Sequence, residues 1–250
     1  MQLRDVAHLE TLTSSAWPAL ANEYLDGWVL RFAAGYTKRA NSVTPMWQGD
    51  LPMLQKVAYC EQRYQQQGLP ALFKLSPAAQ ALDDVLLERG YDLIDYCSVQ
   101  SRSLQAGDFA LDVAVQSSDK VSADWFSRFA ELNHVPESHQ ATAWQMLSSY
   151  ACPTQFATLF HDGKAVACAL AVLQFNTVLL YDVVTLAEQR RQGYARRLVS
   201  HLLAWSQQQG ATKAVLQVVA ANHAACALYA QLGFTEEYPY WYRRQSDGAI

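Results

Sequence analysis

Residues 181–198 read YDVVTLAEQRRQGYARRL, in which an apolar, β-branched segment runs into a basic turn. Strand-forming residues end near Thr185, and a helix is predicted to begin near Tyr194. Its apolar positions recur at the spacing of one helical face and are Leu198, Leu202 and Trp205. This order predicts a strand, a basic loop and an amphipathic helix.

The basic loop has the features of an anion-binding site. The first N–H groups of a helix have no intrahelical acceptor and lie at the positive end of the helix dipole, so they bind phosphate groups well. Gly193 and Ala195 are small enough for a ligand to approach the backbone. Charge-assisted contacts are predicted from Arg190, Arg191, Arg196 and Arg197. An ordinary basic loop before a helix is the alternative that this segment alone leaves open.

A second distinctive stretch, residues 222–234, reads NHAACALYAQLGF. Asn222 is a favourable N-cap, Gly233 ends the helix and Phe234 opens the next strand. Helix capping and core packing alone would make Tyr229 a structural aromatic residue. Only one predicted strand separates this stretch from the basic loop. The occurrence of both stretches so close together is poorly explained by coincidence.

Together the two stretches resemble the GNAT superfamily of N-acetyltransferases. Arg190-x-x-Gly193-x-Ala195 is similar to that family's [Q/R]-x-x-G-x-[G/A] motif, with alanine in place of the more common second glycine. Residues 222–234 match its N-x-x-A-x-x-L-Y-x-x-L-G-F signature at every fixed position. The glycine patterns of Rossmann and P-loop proteins are absent.

The resemblance implies acetyl-CoA as co-substrate, with no metal. It places the diphosphate on the loop residues Arg190, Arg191, Gln192, Gly193, Tyr194, Ala195 and Arg196. It assigns contacts with the pantetheine arm and the thioester carbonyl to Val183, Val184 and Thr185, and a pantetheine or water contact to Asn222. Tyr229 would be the general acid, since a phenol of pKa about 10 suits a leaving thiolate of pKa about 8.5.

The general base is less well defined. An acceptor amine of pKa about 10 must lose a proton before it attacks, and Asp182 is the nearest acidic residue. A structural role for Asp182 is an equally open interpretation. His134 and His139 are further candidates for the acceptor pocket. An aromatic final strand would form its wall, with half of the side chains turned inward: Tyr238, Tyr240, Trp241 and Tyr242. No G-x-S-x-G motif is present, so direct attack on the thioester is expected.

The N-terminal half resembles a degenerate GNAT-like region. Residues 64–68 (YQQQG) and, beyond a strand and a helix, Arg89-Gly90-Tyr91 parallel residues 206–210 (SQQQG) and Leu232-Gly233-Phe234. Chance similarity of glutamine-rich helix ends is the alternative to duplication. This half lacks the arginine–glycine loop and is not expected to bind acetyl-CoA. The predicted domains are residues 1–104 and 105–250.

The expected fold is α/β: a mixed, mostly antiparallel twisted sheet with helices on both faces, split beside the strand that holds the cofactor. Helices are predicted over Asp5–Leu25, broken at Pro18, over Ala123–Leu132 and over Tyr194–Gln208. Strands are predicted over Tyr36–Val43 and Phe109–Val115.

Composition and net charge limit the classes of partner and the location that are expected for the protein. The 250 residues carry a net charge of −4, which argues against nucleic-acid partners. Five scattered cysteines indicate free thiols in a reducing, cytoplasmic setting, and no apolar segment is long enough for a membrane helix. The expected partner is a small-molecule or peptide amine, and the protein is expected to be a monomer or homodimer. A non-catalytic acyl-CoA sensor and a tandem GNAT enzyme that uses another acyl donor remain as alternatives.

Overall fold

The computed structural model describes residues 3–246, with side chains from Val6 onward. Contacts divide the chain into two compact units. The first comprises residues up to Val99, Val219–Asn222 and residues from Glu237 onward, and the second comprises Gln100–Val218 and His223–Glu236. The predicted division into residues 1–104 and 105–250 stays a prediction.

The N-terminal half is built from three helices and five strands. In chain order they are α1 (Leu3–Ala16), β1 (Ala21–Leu25), β2 (Trp28–Phe32), β3 (Val43–Pro45), α2 (Met53–Gln66), β4 (Leu72–Leu75), α3 (Gln80–Glu88) and β5 (Asp92–Ser103). Strands β1, β2 and β3 pair antiparallel, whereas β3 pairs parallel with β4.

Two predictions in this half are wrong. The helix predicted over Asp5–Leu25 ends at Ala16, and Ala21–Leu25 instead forms a strand that pairs with β2. Pro18 cannot continue a helix, and the residues after it find backbone partners in the sheet. Tyr36–Val43 contains a 3₁₀ helix at Lys38–Ala40 instead of a strand. The buried Asn41 side chain holds this loop by hydrogen bonds to four backbone positions: the N–H groups of Ala33 and Gly35 and the carbonyls of Tyr36 and Thr37.

The rest of the chain contributes six strands and four helices. They are β6 (Val115–Ser118), α4 (Ala123–Leu132), α5 (Glu137–Ser148), β7 (Thr154–His161), β8 (Lys164–Gln174), β9 (Thr177–Thr185), α6 (Tyr194–Gln208), β10 (Lys213–Val219), α7 (His223–Gln231) and β11 (Thr235–Arg244). In the second unit β6 to β9 are antiparallel neighbours and β10 joins β9 in parallel. This mixed, mostly antiparallel arrangement confirms the predicted fold class.

Helices cover both faces of the sheet in the second unit. On one face α6 and α7 share a core cluster with strand residues such as Ala157 and Leu180. On the other face Trp125 of α4 packs its ring 4.9 Å from that of Phe156. Leu198 and Leu202 of α6 are fully buried, and Trp205 packs against the same cluster, as their spacing predicted.

The strand predicted over Phe109–Val115 is wrong, because β6 begins only at Val115. Residues 108–113 form a linker attached to α6. The Asp112 carboxylate accepts hydrogen bonds from Arg197 at 2.7 and 3.1 Å, and the Asp112 N–H donates to Nδ1 of His201 at 3.0 Å. These bonds replace the strand pairing that the apolar pattern suggested.

Acidification should weaken the attachment of this linker. Burial lowers the pKa of His201 below its ordinary value of about 6.5, and only the unprotonated Nδ1 can accept the Asp112 N–H. Unfolding therefore takes up a proton, so stability is present above about pH 6.5 and is lost as pH falls through the lowered folded-state value. We expect the Tm to fall between about pH 7.5 and about pH 5.5 more steeply than in His201→Asn, whose side-chain oxygen accepts the same N–H without titrating. Equal slopes in differential scanning calorimetry would contradict this.

The two halves share the geometry of their helix ends. At the end of α2 the Leu69 N–H donates to the Tyr64 carbonyl at 3.0 Å, and at the end of α6 the Ala211 N–H donates to the Ser206 carbonyl at 2.9 Å. The ends of α3 and α7 match as well: Tyr91 donates to Leu86 and Phe234 donates to Tyr229, both at 3.0 Å. Helix α4 ends with the same bond, from the Val135 N–H to the Ala130 carbonyl at 2.8 Å, so this ending is a common one and duplication stays a prediction.

The aromatic side chains of β11 are more buried than alternation predicted. Tyr238, Tyr240, Trp241 and Tyr242 all have relative exposures of 7% or less. Residues Trp241–Arg244 pair with β4, and the side chains find partners in two helices of the first unit. Tyr238 donates to Glu10 of α1, and Trp241 donates to Asp83 of α3. The expectation that only half are turned inward is wrong because both faces of this strand are covered.

All five cysteines are free thiols. Among residues 3–246, no helix combines the length and apolarity that a membrane crossing requires. Within the same residues no group of three or more histidine, cysteine, aspartate or glutamate side chains is placed to hold a metal ion.

Candidate functional site

Strands β9 and β10 separate before either one ends. Their parallel pairing runs from Thr177 opposite Lys213 to Leu180 opposite Leu216. Strand β9 nevertheless continues to Thr185 and β10 to Val219. The edge of β9 that faces β10 is therefore without a strand partner beyond Leu180, and its N–H and C=O groups are accessible to an extended ligand. The predicted split beside this strand is present.

A β-bulge lies at the point where the strands separate. Leu170 of β8 pairs with Tyr181 and Cys168 pairs with Val184, so Asp182 and Val183 together oppose a single residue of β8. Asp182 has a left-handed backbone conformation with φ 50°. One carboxylate oxygen of Asp182 is buried, and the pKa of the neighbouring Cys168 thiol is raised by burial and then by this carboxylate. The bulge thus changes the direction of the backbone at the residues predicted to contact the thioester.

The loop after β9 leads into α6 without a side-chain cap. Gly193 is the N-cap residue, with φ 81° and ψ 2°, a left-handed conformation that favours glycine. The Gly193 carbonyl accepts an intrahelical hydrogen bond from the Arg197 N–H at 3.0 Å. A β-carbon added at Gly193 would meet no atom within 4 Å, so the space over the first turn is open. This arrangement is an uncapped helix N-terminus at Gly193, and the cofactor contacts predicted for Gly193, Tyr194 and Ala195 stay predictions.

The arginines of the loop differ in their partners. Arg190, Arg191 and Arg196 are exposed, and within residues 3–246 none of them forms an ion pair. Arg197 is different, because its guanidinium forms an ion pair with the Asp112 carboxylate. The prediction that Arg197 is available to a phosphate is therefore wrong. Nothing in the local sequence indicated this pair, since 85 positions separate the two residues.

Tyr229 lies in the core of the second unit and is 8% exposed. Its ring centroid is 5.9 Å from that of Phe234, in an edge-to-face arrangement. The same core cluster contains Tyr194, and Val183 packs against it, so residues from the three predicted segments meet in one cluster. Asn222 immediately precedes α7, which begins at His223, and its N–H donates to Val219 C=O at 2.9 Å.

The histidine candidates are peripheral to this cluster. His134 is exposed and lies, with φ 52°, in the turn between α4 and α5. His139 is half-buried at the start of α5. Neither histidine belongs to the core cluster that contains Tyr194 and Tyr229.

Gln217 is a candidate that the sequence analysis missed. It directly follows Leu216, the last residue of β10 that pairs with β9. Its Nε2 is buried and, among the described residues, has no hydrogen-bond acceptor. A buried amide donor without an acceptor is energetically unfavourable, which makes Gln217 a candidate for a ligand contact. The glutamine in the apolar run AVLQVV was the available signal.

Comparison with known proteins agrees with this geometry. The family described as "Probable histone acetyltransferase Rv0428c C-terminal" matches residues 4–243. An uncharacterized N-acetyltransferase of Bacillus subtilis, YobR, is 29% identical over 250 residues, covering 96% of this chain and 98% of the relative. The type 1 aminoglycoside N(6')-acetyltransferase of Serratia marcescens is 33% identical over 110 residues, covering 40% of this chain and 75% of the relative.

A solved structure shows the same fold at low sequence identity. The GCN5-related N-acetyltransferase from Kribbella flavida superimposes with a TM-score of 0.71 and 15% identity, covering 98% of this chain and 96% of that chain. The family match extends over nearly the whole chain and includes both motifs. The chain therefore belongs to the family of the Rv0428c C-terminal acetyltransferase domain, within the GNAT N-acetyltransferases.

Proposed function

We propose that the protein transfers an acetyl group from acetyl-CoA to a primary amine by direct attack of the amine on the thioester. The observation that carries this proposal is the separation of β9 from β10 beyond Leu180 and Leu216, together with the uncapped N-terminus of α6, the helix that follows β9 in the chain. A ligand with a diphosphate at one end and an extended amide-containing arm at the other matches these two features.

The diphosphate is assigned to the first turn of α6. Backbone N–H groups at Gly193, Tyr194 and Ala195 have no side-chain cap and lie at the positive end of the helix dipole. Arg190, Arg191 and Arg196 supply positive charge around them, and Gln192 completes the loop. Gly193 lets the phosphate approach the backbone because no β-carbon stands in the way.

The pantetheine arm is assigned to the unpaired edge of β9. Val183 lies in the bulge, Val184 and Thr185 follow it, and all three would offer backbone groups on this edge. A backbone N–H directed at the thioester carbonyl would stabilise the negative charge that develops there. Gln217 would donate its buried Nε2–H to a carbonyl of the same arm. These assignments fit a fully extended, amide-rich ligand.

Two side chains are assigned to proton transfer. Asp182, directly or through one water, would accept a proton from the ammonium form of the acceptor. The amine nitrogen then forms a bond to the thioester carbon and loses its second proton to solvent, and the carbon–sulfur bond breaks as the carbonyl reforms. Tyr229 would donate its phenolic proton to the departing thiolate and regain one from solvent.

The first unit is proposed not to bind a second CoA. Where the chain approaches α2, the carboxylate of Asp26 accepts the N–H groups of Asp50 and Leu51 at 3.0 and 2.8 Å. It also lies 3.3 Å from Nζ of Lys56. These backbone hydrogen bonds hold the pKa of Asp26 below its ordinary value, first through Leu51 and then through Asp50. The Asp26 carboxylate thus already accepts the N–H groups of this loop, so we propose that no equivalent site is left for a diphosphate.

Calorimetric titration of the full chain with CoA should give one bound molecule per chain. A turnover assay for released thiol then follows, with acetyl-, propionyl- and succinyl-CoA as donors. The acceptor panel contains peptides with free N-termini, polyamines and aminoglycosides, the last because one relative is named for them. Absence of CoA binding at near-physiological salt would overturn the proposal. Binding without turnover for any donor would favour a non-catalytic acyl-CoA sensor, and preference for a longer donor would revise the acyl group.

A further inference from the structure

A cavity of about 250 Å³ lies entirely within the first unit, and the proposed acetyl transfer gives it no role. One wall is the loop between β2 and β3. The other walls come from β4, β5, β11 and the segment that joins α2 to β4. The lining residues that carry the argument are Thr37, Lys38, Leu69, Leu72, Ile94 and Arg244.

The loop wall is preformed. Asn41 also lines the cavity, and its buried side chain holds the loop through the backbone hydrogen bonds described above. Thr37 has φ 57° and ψ 136°, a conformation that is rare for a β-branched residue. Such conformations persist only where the surrounding structure imposes them, and they are concentrated at ligand-binding and active sites. Nε1 of Trp17 donates to Oγ1 of Thr37 at 3.0 Å, which leaves the hydroxyl proton of Thr37 to donate elsewhere.

Strand pairing fixes the position of Arg244 on another wall of the cavity. Arg244 pairs with Leu72 in the register of β11 against β4. Successive side chains of a strand point to opposite faces of the sheet, so Arg243 and Arg244 have different surroundings. The Arg243 guanidinium is buried and bonded to the Asp83 carboxylate, whereas Arg244 is exposed and lines the cavity.

The cavity carries an excess of positive charge. Nζ of Lys38 lies 2.6 Å from the Asp95 carboxylate, which joins the loop wall to β5, and the Lys38 side chain is still 48% exposed. Arg244 forms no ion pair within residues 6–246, and no aspartate or glutamate is among the lining residues. A guanidinium without another partner binds a carboxylate well, through two parallel N–H···O bonds.

Much of the remaining lining is apolar. Leu72 is buried, and Leu69 and Ile94 are half-buried, so a hydrocarbon group placed against them would leave water. A cavity of about 150 Å³ accommodates benzene, so about 250 Å³ admits a ligand of roughly ten non-hydrogen atoms. Positive charge beside a small apolar surface selects a ligand with one carboxylate and a short hydrocarbon body.

We propose that this cavity is a binding site for a small aliphatic carboxylate. The Arg244 guanidinium binds the carboxylate group, and Lys38 and the Thr37 hydroxyl add donors. Leu69, Leu72 and Ile94 contact the hydrocarbon body. The site uses no residue assigned to CoA and is independent of the proposed acetyl transfer.

An NMR titration of the isotope-labelled full chain tests this inference, with 4-methylpentanoate as the probe and 4-methylpentanamide as its neutral counterpart. Amide signals of Gly35, Thr37 and Ile94 should shift with the carboxylate and saturate with a Kd of about 1 mM at about 0.15 M salt. The neutral amide should bind at least about tenfold more weakly, because it lacks the charge-assisted contacts.

Two variants assign the effect to the cavity. Arg244→Gln should weaken the carboxylate about tenfold and leave the Kd for the neutral amide within about twofold. Lys164→Gln is the matched control, since it removes one positive charge from an exposed residue of β8 that has no ion-pair partner among residues 6–246. Its Kd for the carboxylate should stay within about twofold of wild type. An unchanged Tm of Arg244→Gln would show that its lower affinity is local.

Several outcomes would overturn the site. They are equal affinity for the carboxylate and the neutral amide, equal loss of affinity in the two variants, and signal shifts confined to residues outside the cavity. Tighter binding of inorganic phosphate than of 4-methylpentanoate would also overturn it, because phosphate makes no use of the apolar wall. The acetyl-transfer proposal stands under every one of these results, since the titration contains no CoA.

Discussion

Tyr229→Phe is expected to lower kcat about a hundredfold, the lower end of what a positioned general acid contributes, with the KM for acetyl-CoA within about twofold. The variant keeps the ring, which packs edge-to-face against Phe234 in the core cluster. Only the phenolic hydroxyl is removed, so the thiolate must leave unprotonated or take a proton from water. Steady-state kinetics with a saturating acceptor measures the effect.

Loss of a buried hydroxyl can also lower stability, and Tyr64→Phe controls for that. Tyr64 is fully buried in the first unit, and its hydroxyl donates to the Arg31 carbonyl at 2.9 Å. We expect Tyr64→Phe to lower the Tm and leave kcat unchanged, because a hydrogen bond of this kind contributes about 1 kcal/mol to stability. Full turnover by Tyr229→Phe would remove Tyr229 from the mechanism, leaving a structural aromatic residue.

Gly193→Ala is expected to raise the Kd for CoA about tenfold or more, because a β-carbon would stand over the amides that bind the diphosphate. The substitution also places alanine at φ 81°, which costs about 1 kcal/mol of folding free energy. The two effects must be separated. Titration with CoA gives the first, and thermal denaturation gives the second.

Gly210→Ala is the matched control at the opposite end of the same helix. Gly210 has φ 90°, and a β-carbon there would also meet no atom within 4 Å. Backbone strain is therefore comparable, so both variants should lose similar stability, about 1 kcal/mol. Only Gly193→Ala should lose CoA affinity. Equal CoA affinities in the two variants would show that the first turn of α6 does not hold the diphosphate.

Local sequence predicted the elements that carry strong end signals. The helices Ala123–Leu132 and Tyr194–Gln208 agree with prediction to the residue. Ser122 caps the first by accepting the Trp125 N–H, and a glycine follows the second. Strand β1 and the linker were misassigned. Their conformation depends on partners elsewhere: β1 pairs with β2, and the linker bonds to α6.

The sequence predicted only part of the candidate site, as it predicted only part of the fold. The arginine–glycine loop and Tyr229 follow from motifs of contiguous residues. The bulge at Asp182 was not predictable, because it is defined by the register of β9 against β8. Gln217 was missed for a related reason. A polar residue in an apolar strand acquires meaning only when its burial and the end of strand pairing are known.

The amino-acid sequence by itself indicated the family, most of the helices and strands, and the basic, glycine-containing turn after β9. Short-range chemistry governs these features: helix dipoles, glycine conformations and periodic apolar residues act over a few neighbouring positions. Tertiary structure alone decided which loop arginine pairs with an acidic side chain, where β9 and β10 separate and how the linker attaches to α6. Each of these depends on residues distant in the chain. The Arg197–Asp112 pair and the strand registers form only when the chain folds and brings those residues into contact.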